Sequence, residues 1–75
     1  MKAKEILKSF SFKAITELGP SSKSQISKKV LQIARECDAL TDDLIFEIKD
    51  IGWRFIDLKE DGLVTNNGKK GVACR

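Results

Sequence analysis

Ile51-Gly52-Trp53-Arg54-Phe55-Ile56-Asp57-Leu58-Lys59-Glu60-Asp61-Gly62-Leu63-Val64, followed by Asn66-Asn67-Gly68-Lys69-Lys70-Gly71-Val72, decides how this chain folds. Ile51, Phe55 and Leu58 recur at helical spacing, and Gly62 is placed to take the left-handed conformation that ends a helix. Leu63-Val64-Thr65 and Gly71-Val72-Ala73-Cys74 are each short enough to be strands of one hairpin. Asn66-Asn67-Gly68 between them supplies the positive backbone dihedrals that a tight turn needs. A lone hairpin is marginal in water, so this one must pack on the helices.

Upstream, the apolar stripe continues through Leu44 and Ile48, and Thr41-Asp42-Asp43 opens it with a cap and two carboxylates at the positive end of the helix dipole. Gly52 costs about 1 kcal/mol of helix propensity, which implies a kink there or a close approach by another backbone. A short helical turn over 42–47 and a longer helix from about Asp50 to Glu60 are therefore expected. The first helix is expected from about Ala3 to Leu18, on a stripe of Leu7, Phe10, Ala14 and Leu18 widened by Ile6 and Ile15. Gly19-Pro20 ends it, because proline cannot continue the hydrogen-bond ladder. Phe12, off this stripe, is assigned a second, smaller contact. Ser22 and Gln25 have the spacing of a capping box, with Ser24 as a competing cap, and start a second helix carrying Ile26, Val30, Ile33 and Cys37.

The 75 residues allow one domain, 1–75, and a core of modest size. An apolar share of 41% and a charged share of 33% fit a globular domain rather than a disordered tail. Charges interrupt every apolar run, so neither a membrane span nor a secretory signal is expected, and the expected location is the cytoplasm. Cys37, on an apolar stripe, is read as a small buried hydrophobe, and Cys74 as an exposed thiol kept reduced. With two cysteines and no histidine there is no basis for a zinc site, and no cofactor is expected. There is no glycine-rich phosphate loop and no serine or cysteine with an evident base, so catalysis is not expected either.

Three helices followed by a two-stranded hairpin make an α+β, mostly α architecture, the winged helix-turn-helix. At the residue level, Gly52-Trp53-Arg54, Leu58-Lys59, Gly62-Leu63-Val64 and Lys70-Gly71-Val72 resemble the N-terminal domain of Mrr-type restriction endonucleases. The resemblance spans roughly residues 10–74, and its most specific part is about twenty residues long. It implies a winged helix that helps to position a protein on DNA, without nuclease activity, since in that family cleavage lies in a separate domain. Asp57, Glu60 and Asp61 depart from it, standing where the family tends to have basic or small side chains. The connection before Gly52 is also shorter than usual for the family.

The net charge of +3 is unevenly distributed. Residues 1–40 hold eight basic and four acidic side chains, residues 41–61 three basic and seven acidic, and residues 62–75 three basic and none acidic. DNA binding needs cations on phosphates and a helix whose side chains reach base edges. The candidates are Lys23, Lys28 and Lys29 near the second helix, Lys69 and Lys70 on the hairpin tip, and Arg54 with Lys49 on the third, with Lys59 as an assisting charge. Acids at the end of the third helix would repel phosphate, so contact through its N-terminal part, around Lys49 to Arg54, is expected. Trp53 is expected to pack against the wing or the first helix; left exposed, it becomes an interface anchor. The expected partner is therefore duplex DNA. The alternative is a protein-interaction domain, such as a phage or mobile-element inhibitor, in which Trp53, Asp57, Glu60 and Asp61 meet a basic partner. A homodimer through the Phe10/Phe12 region is left open by the sequence.

Overall fold

Helix α1, Ala3–Leu18, supplies the floor of the core. Its Leu7, Ser11, Ala14 and Ile15 are buried at three- and four-residue intervals, and α1 packs against every other helix and against one strand. The computed structural model describes residues 2–68 and 71–75. Gly19 ends α1 at φ +74°, a conformation that L side chains rarely adopt, and its N–H donates to the Ile15 carbonyl at 2.9 Å.

Strand β1, Ser21–Ser22, leads directly into α2, Lys23–Glu36. Ser22 makes the expected capping box: the Gln25 N–H donates to Ser22 Oγ, and the Ser22 N–H donates to Gln25 Oε1 at 2.9 Å. Ile26, Val30, Ile33 and Ala34 form the buried face of α2. Cys37 is exposed rather than buried. The helical spacing that places it on the stripe holds only while the helix continues, and Cys37 is already the cap residue. Asp38 then turns the chain at φ +52°, with the Ala39 N–H donating to Ala34 and the Asp38 N–H to Arg35. This pair of bonds satisfies carbonyls that the helix end leaves open. Leu18, at the last position of α1, is likewise more exposed than its place on the stripe implies.

The expected helical turn over 42–47 and the longer helix from about Asp50 are α3 (Asp42–Ile48) and α4 (Ile51–Glu60), separate elements that bring the helices among the described residues to four. Thr41 caps α3, its Oγ1 accepting from the Leu44 N–H at 3.2 Å. The break lies at Lys49-Asp50, one turn before Gly52, and Gly52 is the second residue of α4. Leu44, Ile51, Phe55 and Leu58 carry the apolar stripe across the break into the core. Gly62, at φ +77°, closes α4: the Leu63 N–H donates to Leu58 and the Gly62 N–H to Lys59, both at 3.0 Å.

Strands β2 (Val64–Asn67) and β3 (Gly71–Cys74) form the expected hairpin, but the sheet has three strands, not two. The central β3 pairs antiparallel with β2, Val64 opposite Cys74, and with β1, Ser21 opposite Val72. Asn66 and Asn67 are part of β2, and of the three expected turn residues only Gly68 has a positive φ, +74°. The sheet contributes Val64 and Val72 to the core. Phe10 and Phe12 are both half-buried against that core. The result is a mostly helical α+β fold, compatible with the winged helix-turn-helix expected from the sequence.

Candidate functional site

Ile51, Phe55 and Leu58 fix the orientation of α4, and every other side chain on it follows from that choice. At about 100° per residue, Gly52 and Lys59 fall on the flank next to α2, Trp53 and Glu60 point away from the core, and Arg54 and Asp61 fall on the opposite flank. The observed contacts agree. The place a Cβ on Gly52 would occupy lies 3.7 Å from Lys23 Nζ, so the lysine at the start of α2 lies over the glycine at the start of α4.

On this α2 flank the basic residues converge. A groove of about 600 Å³ runs between α2 and the end of α3, lined by Lys23, Lys28 and Lys49 with Ser22, Ser24 and Ser27, over a floor of Leu31 and Ile48. Next to it, a second hollow brings Lys23 together with Lys59, Ile56 and Asn66, where α4 meets the sheet. No acidic side chain among the described residues lines either of these two depressions. Asp50 lines a third, smaller hollow beside them, which Lys23 shares with Trp53 and Ile56.

The opposite flank takes up the acids. Asp61 is ion-paired with Lys8 of α1, and Asp57 with Arg54 at 3.4 Å. Lys8 is held above the usual lysine value of 10.5, first by its hydrogen bond to Asp61 and also by the charges of Asp61 and Asp57. Two of the three carboxylates that set α4 apart from the Mrr-type pattern are therefore matched by cations within the chain. Glu60 is exposed at the outer edge.

The structure thus divides the residues singled out in the sequence. Lys23, Lys28 and Lys49 come together, with Lys59 beside them. Lys29 does not join them; its Nζ lies 3.6 Å from Glu17 of α1. Arg54, expected as the main contact from the helix, has a side chain only 16% exposed and paired to Asp57, away from the lysine groove. Lys69 and Lys70 lie outside the described residues. Trp53, expected to be packed, stands 63% exposed, because two residues after buried Ile51 the helix has turned about 200°. Ser24, Ser27 and Ile56 belong to the site but carry no signal that a sequence pattern could have picked out.

Comparisons with protein-family models, with curated proteins and with solved structures find no match. The site is therefore read from its own geometry. Both cysteines are free and exposed, and no group of three or more metal-ligating side chains gathers among the described residues. No helix there is long and apolar enough to cross a membrane.

Proposed function

We propose that this chain is a winged helix-turn-helix that binds duplex DNA through the face formed by the start of α2, the α3–α4 junction and the sheet side of α4. The observation that carries the reading is the convergence of Lys23, Lys28 and Lys49 on one groove, with Lys59 on the adjoining hollow and no carboxylate lining either. Phosphate neutralisation supplies most of the non-specific affinity for DNA, and it needs this kind of acid-free cluster. The start of α2 adds the positive end of a fourteen-residue helix to the same place. Serine hydroxyls and the Asn66 amide add polar groups of the kind that contact phosphates or base edges.

The separation of charge removes the main objection to this reading. Asp61 pairs with Lys8 of α1 and Asp57 with Arg54 of α4 itself, both away from the lysine groove, so α4 can approach a polyanion by its Gly52–Lys59 flank. The same pairing weakens the alternative of a basic protein partner captured by an acidic helix, because Glu60 alone of those three acids has no ion pair among the described residues. That alternative keeps one supporting observation, the exposure of Trp53.

The test is the salt dependence of binding to a duplex of mixed sequence, read by fluorescence anisotropy. Non-specific dissociation constants near the micromolar range are expected at low salt. Replacing Lys23, Lys28 and Lys49 together by alanine should lower the log–log salt slope by about 0.9 for each lysine that contacts phosphate. The substitution Lys29→Ala, outside the groove, serves as the control. No detectable binding at low salt, or a triple variant that binds like the parent, sinks the proposal.

A further inference from the structure

Phe46 and Trp53 are the two most exposed large hydrophobic side chains among the described residues, at 64% and 63%. They come from different helices, α3 and α4, yet line one shallow hollow of about 390 Å³. Its remaining walls are Lys4 from α1, Glu47, Asp50 and Arg54. Adjacent exposed aromatics rimmed by polar groups mark an interaction surface, and tryptophan is the residue type most enriched at binding hot spots.

The charges around the two rings select the occupant. The rim carries two acidic residues, Glu47 and Asp50, and two basic ones, Lys4 and an Arg54 already paired to Asp57. A polyanion on this hollow would meet Glu47 and Asp50, and a strongly basic partner would meet Lys4. A patch holding both signs around an apolar centre can instead complement itself, which an isologous two-fold contact requires. We propose that this hollow is the interface of a symmetric homodimer, its occupant a second copy of the same chain. None of Lys23, Lys28, Lys49 and Lys59 lines it, so the lysine groove stays open on each subunit. The inference stands independently of the DNA reading. If both hold, the dimer presents two grooves, as expected for paired half-sites.

Two aromatic side chains per subunit make a small interface, so association should be weak, with a dissociation constant on the order of 10–100 μM. Trp53 is the only tryptophan in the chain, so without DNA its emission reports on burial of this face. Sedimentation velocity and tryptophan emission should be followed without DNA across that range of concentration. A monomer-to-dimer shift in sedimentation is expected, with emission moving to the blue in parallel. The variants Phe46→Ser and Trp53→Ser should each stay monomeric at the highest concentration while keeping the parent's far-UV circular dichroism. A chain that is monomeric throughout would overturn the proposal, as would serine variants that dimerise like the parent.

Discussion

Asp61 accepts from Lys8 across the contact between α4 and α1, and this pair is where charge and fold are most directly coupled. The hydrogen bond holds the Lys8 ammonium above 10.5, so the folded state binds this proton more tightly than the unfolded chain does. By linkage, the pair's contribution is fully present below the unfolded lysine value and is lost as the pH rises through the higher folded value. It is therefore an alkaline effect, absent from any titration near neutrality. In the substituted chain Asp61→Asn, the Lys8 titration followed by NMR at Nζ should move down toward 10.5; an unchanged midpoint would show that Asp61 is not its cause. Asp38 is a residue-scale strain of a different kind, a non-glycine at φ +52° in the turn that closes α2. Glycine takes this conformation at no steric cost, so Asp38→Gly should stabilise the fold by about 0.5–1 kcal/mol. In a domain of this size that amounts to a rise of roughly 2–8 °C in Tm. A fall in the thermal midpoint would mean that the Asp38 side chain makes a compensating contact.

Among the elements, those with a strong local signal are where the sequence places them, and those that depend on a distant partner are not. Helix α1 has its expected bounds, Ala3 to Leu18, because its stripe, Gly19 and Pro20 all act within a few residues. The capping box at Ser22 and the Thr41 cap are local in the same way. Strand β1 has no such signal. Ser21 and Ser22 show no apolar alternation, and they become a strand only because β3 arrives beside them from fifty residues downstream. The candidate lysines were legible one by one, but their grouping was not. It follows from how α4 is rotated against α2 after the break at Lys49-Asp50, and the Gly52 signal announces the break but not the rotation. The hairpin carries its own test at Gly71, which pairs with Ser22 on one side and Asn67 on the other. A Cβ there would lie 2.5 Å from the Asn67 carbonyl oxygen, and the obstacle is backbone, which cannot swing away. Gly71→Ala should therefore loosen the β2–β3 ladder, giving faster amide exchange at Thr65 and Ala73 with α1 protection unchanged. Uniform protection would show that the hairpin can shift to accept the methyl group.

At the scale of the whole molecule, folding re-sorts charges that the chain carries in blocks. Within the acidic segment 41–61, Asp57 and Asp61 meet Arg54 and Lys8 on one flank of α4, while Lys23, Lys28, Lys49 and Lys59 gather around the other. The core that enforces this sorting is small, and a chain of 75 residues has a total stability of only roughly 4–11 kcal/mol. Helix α4 therefore has two faces with very different tolerance. Ile51 is fully buried at its first turn, and Ile51→Ala should cost about 2–5 kcal/mol, through lost burial and the cavity left behind. That is a large fraction of the total, enough to leave much of the population unfolded at physiological temperature. Trp53, two residues on and mostly exposed, should change stability by less than about 0.5 kcal/mol when replaced by serine. Urea unfolding of the two variants at low protein concentration, where any dimer has dissociated, measures the difference directly. If Trp53→Ser proved as destabilising as Ile51→Ala, the tryptophan would be part of the core and the orientation of α4 that builds the lysine groove would be wrong. If only Ile51→Ala unfolds the chain, the outer face of α4 is free to be altered, and losses of binding or self-association there can be read as losses of contact.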